Sequence, residues 1–184
     1  MTETHGRGSR GAAPVHVRPE RPEDRAAVRG VNLAAFPTSA EADLVDALRT
    51  SSAWLPYGSF VAEVDGRVVG HVLLTRATLT SDDDAEHPVL ALAPVAVLPE
   101  WQGRGVGSAL VRASIASATA AGDSLLTVLG HPAYYPRFGF RPARAQGIEP
   151  PGPWNDAAWM AMPLKPAGAA LRGRVRYAAP FDAV

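Results

Sequence analysis

The chain has 184 residues, a length that suits one domain, and 47% of them are hydrophobic, which is enough for a sizeable core. Its formal net charge of zero argues against nucleic acid as the main partner, because nucleic-acid-binding proteins usually carry an excess of basic residues. It contains no cysteine, which excludes disulfides, thiolate metal sites and a cysteine nucleophile.

The ends of the chain carry no targeting signal that we can identify. Residues 1–13 are rich in Gly, Arg, Ser and Thr without periodicity, so we expect a disordered tail there. The N-terminus has no apolar segment typical of a secretory signal. The longest nearly unbroken apolar run, residues 89–98, is interrupted by Pro94 and is far shorter than the roughly 20 residues of a membrane helix. We therefore expect a cytoplasmic protein with no membrane partner.

The first part of the chain predicts one short strand and two helices. Residues 15–18 alternate apolar and polar side chains, as a short strand does. Pro22 followed by two acids is typical of a helix start, and Ser39 before a second acidic and apolar segment predicts another. The apolar stripe of the first helix is expected to comprise Ala27, Val28, Val31, Leu33 and Phe36.

The rest of the chain predicts strands around one long helix. Asp65-Gly66 is a strong hairpin signal between strands expected at 60–64 and 67–74. The later elements are expected as a buried strand at 89–98, a helix at 105–121, a strand at 124–129, a short helix at 133–138 and strands at 140–142, 158–164 and 174–177. This order predicts an α/β fold with a mixed sheet and helices on both faces, in one domain over residues 14–165. Residues 166–184 are expected to form a C-terminal extension with an edge strand.

A glycine loop joins the buried strand to the long helix. Gly103, Gly105 and Gly107 alternate over five residues, and glycine lets backbone N–H groups approach a ligand without a Cβ in the way. The following helix offers free N–H groups and the positive end of its dipole, which together suit a phosphate or pyrophosphate. Arg104 either adds a charge contact or is merely solvated. A glycine-rich turn that only lets strand and helix pack closely is the structural alternative.

Two other kinds of phosphate site do not fit this spacing. No Gly-Lys-Ser/Thr follows the loop, so it is not a P-loop. Its glycines run G-x-G-x-G, whereas a dinucleotide-binding loop runs G-x-G-x-x-G, usually in the first strand–helix unit of its domain.

The segment Val97-x-Pro99-x-x-Gln102-Gly103-Arg104-Gly105-Val106-Gly107 resembles the acyl-CoA motif of the GNAT superfamily of N-acetyltransferases, whose core reads Gln/Arg-x-x-Gly-x-Gly/Ala. Residues 70–72, 129–140 and 173–177 are similar to the YhbS-like branch of predicted bacterial acetyltransferases. Over residues 15 to 164 the resemblance implies a mixed, mostly antiparallel sheet whose fourth and fifth strands splay apart. It also implies acetyl-CoA as the acetyl donor.

The resemblance further implies which residues hold the cofactor. The pantetheine arm is expected to pair with the backbone of Val95, Ala96 and Val97 in the gap between the splayed strands. Pro94 agrees with such a gap, because a proline inside a strand belongs at a bulge or an unpaired edge, although it could simply end a short strand. The other expected cofactor contacts are Gln102, Gly103, Arg104, Gly105, Val106, Gly107, Ser108, His131 and Arg137. For His131 the alternative is a brace of the turn at Pro132, and for Arg137 a cover of the short helix.

The chemistry of acetyl transfer needs an acid for the leaving thiolate and a base for the amine. Tyr135 is the candidate acid, since it precedes Gly139 by four residues as the family's active-site tyrosine does. Many relatives carry a glutamate on the fourth strand, but residues 90–93 read Leu-Ala-Leu-Ala here. His71 and Glu41 are the alternatives for the base, each with a structural explanation as well, and a water relay stays open. The five histidines have no metal-ligand spacing, so no metal is expected.

The favoured function is therefore an N-acetyltransferase that moves an acetyl group from acetyl-CoA to a primary amine by direct attack in a ternary complex. The alternative is a catalytically weak acyl-CoA-binding sensor or interaction module. The acceptor is a small-molecule amine or a protein amine, and a homodimer formed through the tail strand stays open. Four aromatic side chains either wall an acceptor pocket or seal core edges: Trp54, Tyr57, Trp154 and Trp159.

Overall fold

The computed structural model describes residues 14–165 and 171–183. The expected tail at residues 1–13 lies outside the described residues, as do 166–170 of the expected C-terminal extension. The helices are α1 Arg25–Ala35, α2 Ala40–Arg49 and α3 Val106–Ala120. The strands are β1 His16–Pro19, β2 Trp54–Val64, β3 Arg67–Thr80, β4 Glu86–Val97, β5 Leu125–Leu129, β6 Arg141–Pro142, β7 Ile148–Glu149, β8 Trp159–Pro163 and β9 Gly173–Arg176.

All of these strands belong to one mixed sheet. Its main path runs β1-β2-β3-β4-β5-β8-β6, and along that path only β4 and β5 run parallel. The predicted α/β fold with a mixed, mostly antiparallel sheet is confirmed. The predicted short helix at 133–138 is instead a 3-10 turn, Tyr135–Phe138.

Strand β9 lies beside β3 on the same edge as β2, beyond the first residue of β2. It pairs antiparallel with β3 from Thr78 to Thr80 and parallel with β7, so Arg174 lies between Thr80 and Glu149. The sequence predicted an edge strand here. In the structure Arg174 has partners on both sides, whereas Val175 and Arg176 pair with β3 alone. Pairing of Arg174 with a second copy is therefore blocked within the chain.

Helices α1 and α2 cover one face of the sheet and α3 covers the other. Neighbouring side chains of β3 show this, because side chains alternate between the two faces along a strand. Leu73 shares a core cluster with Val28 of α1 and Leu48 of α2. Its neighbour Leu74 belongs to the cluster on the other face, which contains Leu110 of α3. Helix α3 packs closely on the sheet at Gly70, where an added Cβ would lie 2.9 Å from Cδ1 of Leu110. The predicted arrangement of helices on both faces is thus confirmed.

The predicted apolar stripe of α1 is wrong at Ala27 and Leu33, which are both exposed. The buried side chains of α1 are Val28, Val31 and Asn32, with the spacing of one helix face. Leu33 follows one position later and points away from the sheet, and 46% of it is exposed. Asn32 takes the buried position, where its side-chain amide donates to the carbonyl of Val28 at 2.9 Å.

A bulge in β4 separates it from β5. Val72 pairs with Val95 and Leu74 pairs with Leu92, so Ala93 and Pro94 stand opposite a single residue of β3. Pairing of β4 with β5 is limited to Leu90 with Leu126 and Ala91 with Thr127. Since β4 continues to Val97, Pro94 does not end the strand. The predicted splay of the fourth and fifth strands is confirmed, and the gap between them opens just after Ala91.

Candidate active site

Two cavities meet at the gap between β4 and β5. The loop cavity, of about 670 Å³, is lined by the end of β4, the glycine loop, the first turn of α3 and the turn that contains Tyr134 and Tyr135. The helix cavity, of about 640 Å³, lies between the α1–α2 region, the bulge of β4, the end of β5 and the C-terminal segment. Both are lined by Phe36, Val95, His131 and Tyr135. A ligand in each cavity would therefore meet the other at these four side chains.

The glycines of the loop are required by its backbone conformation. Gly103 and Gly105 have φ angles of +70° and +85°, a region that side chains disfavour, and nothing lies within 4 Å of a Cβ added at either. Gly105 is the N-cap of α3. The first-turn N–H groups of α3 have no intrahelical acceptor, and the helix dipole adds positive potential there. The loop cavity therefore has a backbone anion site at one end.

Most of the cofactor residues predicted from the sequence line the loop cavity. They are Val95, Val97, Gln102, Gly103, Gly105, Val106, Gly107, Ser108, His131 and Arg137. Gln102 also closes the loop, because its side-chain amide donates to the carbonyl of Val97 at 3.0 Å.

Two predicted cofactor residues do not line the loop cavity. Ala96 has only 1% of its surface exposed and packs in the core, because it lies between Val95 and Val97 on an alternating strand. Arg104 places its guanidinium 5.1 Å from the ring centre of Trp101 and is exposed. The Arg104 side chain thus lies over Trp101 and does not line the cavity.

Tyr134 also lines the loop cavity. Its hydroxyl lies 3.4 Å from the Ser108 hydroxyl, and a Cβ added at Gly107 would lie 3.0 Å from it. The guanidinium of Arg137 lies 4.7 Å from the Tyr134 ring centre and donates to the carbonyl of Ala133 at 3.3 Å. These contacts hold Tyr134 and Arg137 beside the start of α3.

Tyr135 stands where the two cavities join. Only 8% of the residue is exposed. Burial raises the pKa of its phenol above the usual range, and the neighbouring Tyr134 raises it further. The Tyr135 ring can lie here only because residue 130 is a glycine, since a Cβ added at Gly130 would overlap Cε2 of the ring. A phenol with a raised pKa stays protonated at neutral pH, so its hydroxyl can donate a hydrogen bond to a ligand at the junction.

Glu41 lies in the first turn of α2 and lines the helix cavity. Its atom Oε2 is buried and has no hydrogen-bond partner among the described residues. Asp43, two positions later, differs because its carboxylate is exposed and binds Arg29 at 2.7 Å. Glu41 is the only carboxylate that lines the helix cavity in the described part of the chain.

His71, the other predicted base, lines neither cavity. It is fully buried, and its Nδ1 lies 3.3 Å from the side-chain amide of Asn32. Its Nε2 lies 3.0 Å from the hydroxyl of Ser59, which in turn donates to Glu20. This chain of donors fits a neutral ring, and burial lowers the pKa of His71 despite the opposing effect of Glu20. The structure therefore places His71 in the core, away from both cavities.

The C-terminal segment supplies part of the helix cavity, which the sequence did not predict. Of the four aromatic residues considered for an acceptor pocket, only Trp154 lines this cavity, whereas Trp159 is fully buried in the core. Tyr177 and Phe181 line it as well. The hydroxyl of Tyr177 lies 3.2 Å from that of Thr127, and burial raises the pKa of Tyr177. The only available signal was the aromatic content of the tail.

Residues 14–165 and 171–183 contain no group of three or more His, Asp or Glu side chains that could hold a metal ion. None of the helices in those ranges is long and apolar enough to cross a membrane. The cytoplasmic location and the absence of a metal stay predictions.

Comparison with known proteins bears on the family. The acetyltransferase (GNAT) family is matched by residues 27–140. The chain is also 41% identical to the uncharacterized N-acetyltransferase YjhQ of Escherichia coli strain K12 over 164 residues, which cover 86% of this chain and 90% of YjhQ. The chain belongs to the GNAT acetyltransferase family. The predicted family and the predicted class of enzyme, an N-acetyltransferase, are confirmed.

Two solved GNAT structures resemble this one over nearly its whole length. YhbS of Escherichia coli, solved in complex with CoA, has a TM-score of 0.84 and 28% identity, and the match covers 95% of each chain. A GNAT family acetyltransferase from Brucella melitensis, solved in complex with acetyl-CoA, has a TM-score of 0.75 and 34% identity, with 92% of this chain and 99% of that chain covered. The GNAT fold is thus shown for this chain.

The burial of neutral His71 predicts a pH dependence of stability. Because its folded-state pKa lies below the unfolded value of 6.5, the unfolded chain binds the proton first. The contribution is complete above pH 6.5 and is lost as pH falls through the folded pKa, at about 1.4 kcal/mol for each unit of difference. Urea unfolding at pH 7.5 and pH 5.5 measures this loss, and we expect it to shrink in His71→Gln.

His16→Gln is the matched control for that measurement, because His16 is exposed on β1. We expect this variant to lose as much stability on acidification as the wild type. An equal loss in His71→Gln and in the wild type would show that the His71 ring does not titrate as its burial requires.

Proposed function

We propose that the protein transfers the acetyl group of acetyl-CoA to a primary amine by direct attack in a ternary complex. The observation that carries this proposal is the junction of the two cavities at Tyr135, over the gap between β4 and β5. A donor bound in the loop cavity and an acceptor bound in the helix cavity would have their reacting groups at one tyrosine. Such proximity is what a direct transfer needs.

The loop cavity fits the donor. Its anion site at the start of α3 suits a pyrophosphate, and the backbone beyond the bulge of β4 suits an extended amide-containing arm. Two similar proteins of this family were solved with this class of ligand, YhbS with CoA and the Brucella melitensis protein with acetyl-CoA. On this proposal, the N–H groups of Val106 and Gly107 hold the pyrophosphate and Val95 and Val97 flank the arm.

The helix cavity fits the acceptor. Of the two bases that the sequence suggested, Glu41 lines this cavity and His71 does not. The absence of an acid at residues 90–93 of β4 would favour a catalytically weak sensor, but Glu41 offers a carboxylate from α2 instead. We therefore favour the enzyme. On this proposal Glu41 accepts the first proton of the acceptor ammonium and then releases it to solvent.

The transfer then balances with the residues at the junction. The neutral amine nitrogen bonds to the acetyl carbon, the carbon–sulfur bond breaks, and its electron pair goes to sulfur. Tyr135 donates its phenolic proton to that sulfur, and the second proton of the nitrogen replaces it on Tyr135. The products are the amide, the CoA thiol and one proton. Because burial raises the pKa of Tyr135 and makes it a weaker acid, its proton passes to the sulfur together with uptake of the proton from the nitrogen.

A glycine substitution tests the donor site. Gly105→Ala forces a side chain into a positive φ and tilts the first N–H groups of α3, so we expect the Kd for acetyl-CoA to rise at least about tenfold, which is roughly 1.4 kcal/mol. Gly122→Ala is the matched control, since Gly122 has a similar φ of +79° but lies beyond the other end of α3. Calorimetric titration gives both constants. Equal affinities for the two variants would argue against the loop as the donor site.

Release of free CoA thiol from acetyl-CoA tests the transfer and the acid together. We expect thiol to appear only when an amine is present, and Tyr135→Phe to lower kcat roughly 100-fold with little change in the Kd for acetyl-CoA. Tyr57→Phe is the control, because its hydroxyl binds Asp123 at 2.9 Å and lines neither cavity. Tight binding without turnover across a broad amine panel favours the sensor. An unchanged kcat in Tyr135→Phe removes the proposed acid.

A further inference from the structure

The helix cavity carries one negative charge on an apolar wall. Apart from Glu41 and His131, its lining side chains are apolar or aromatic, and no arginine or lysine is among the described ones. Oε2 of Glu41 is buried without a partner. A buried carboxylate oxygen without a donor is unfavourable, so the geometry favours a ligand that brings one.

The far wall of the cavity is built from aromatic rings of the C-terminal half. Trp154 and Tyr177 have ring centres 5.5 Å apart, and those of Tyr177 and Phe181 are 4.8 Å apart. Phe181 also packs against the core cluster that contains Leu44 of α2. Phe181 is thus held beside the helix that carries Glu41, and the three rings offer flat apolar surface to the body of a ligand.

This arrangement selects among amines by charge and polarity. An amino acid would bring a carboxylate for which the described lining has no cation. A polyamine would leave its second and third ammonium groups against apolar side chains without a counter-ion, which is unfavourable. An amine with a single ammonium and an apolar body leaves no charge unpaired.

We infer that the acceptor is a monoamine with an apolar or aromatic body, whose ammonium is held by Glu41 and whose body packs on Trp154, Tyr177 and Phe181. This inference rests on the proposed function and adds the chemical class of the substrate. The carboxylate comes from α2, near the start of the chain, and the aromatic rings come from residues 154 to 181.

The test compares kcat/KM for four amines with saturating acetyl-CoA. We expect phenethylamine and hexylamine to be preferred over spermidine and lysine by at least about tenfold. Preference for spermidine or lysine overturns the inference and leaves the proposed function standing. Absence of turnover with all four, against confirmed binding of acetyl-CoA, contradicts the proposed function itself.

Variants at the two ends of the cavity sharpen the test. Glu41→Gln should raise the KM for phenethylamine at least about tenfold without changing the Kd for acetyl-CoA. Glu23→Gln, at an exposed position that lines neither cavity, should leave both constants unchanged. An unchanged KM in Glu41→Gln would remove the carboxylate from the acceptor site.

Phe181→Ala should raise the KM for phenethylamine roughly tenfold and that for ethylamine less than threefold, because only the larger amine reaches the aromatic wall. Phe181→Leu should recover most of the loss. The unchanged Kd for acetyl-CoA shows that each variant is folded. Equal effects on the two amines would contradict packing of the acceptor body on Phe181.

Discussion

Strand β4 keeps only two residue pairs with β5 before the two strands part. The cause is local, because Ala93 and Pro94 together face one residue of β3 and Pro94 has no N–H to give to a neighbouring strand. Beyond this bulge, Val95 and Val97 border open space where a sheet would otherwise close. Both cavities lie on that gap, so the site exists only because the sheet is interrupted there.

The two cavities at the gap are built from different parts of the chain's chemistry, one mainly from backbone groups and the other mainly from side chains. The loop cavity relies on backbone, since positive φ angles at Gly103 and Gly105 and the first turn of α3 present N–H groups and a helix dipole. The helix cavity relies on side chains, with one carboxylate against aromatic rings. Tyr135 stands between them, buried against Gly130, where no Cβ interferes. A backbone anion site is thus combined with a pocket that this chain's own side chains define.

The backbone part of the site was predictable from the sequence because it depends on residue type. Left-handed conformations and close approaches leave glycines at fixed spacing, and a proline inside a strand marks a bulge. Side-chain direction was less predictable. Ala96 points into the core because its two neighbours border the gap, and Arg104 stacks on Trp101 where the sequence suggested a phosphate contact.

The choice between His71 and Glu41 could not be made from the sequence, since both are polar residues inside regular elements. Their difference is tertiary. The network of Asn32, Ser59 and Glu20 satisfies His71 in the core, whereas Oε2 of Glu41 has no partner among the described residues. Phe181 likewise reaches the site only because the chain end packs against α2, far away along the chain. Long-range packing of this kind has no local sequence signature.

The most direct measurement is a crystal structure of the protein with CoA. The account predicts a pyrophosphate bound at the first turn of α3, an arm in the gap beside Val95, and a sulfur within hydrogen-bond distance of the Tyr135 hydroxyl. An arm that lies outside the gap between β4 and β5, or a sulfur remote from Tyr135, would contradict it.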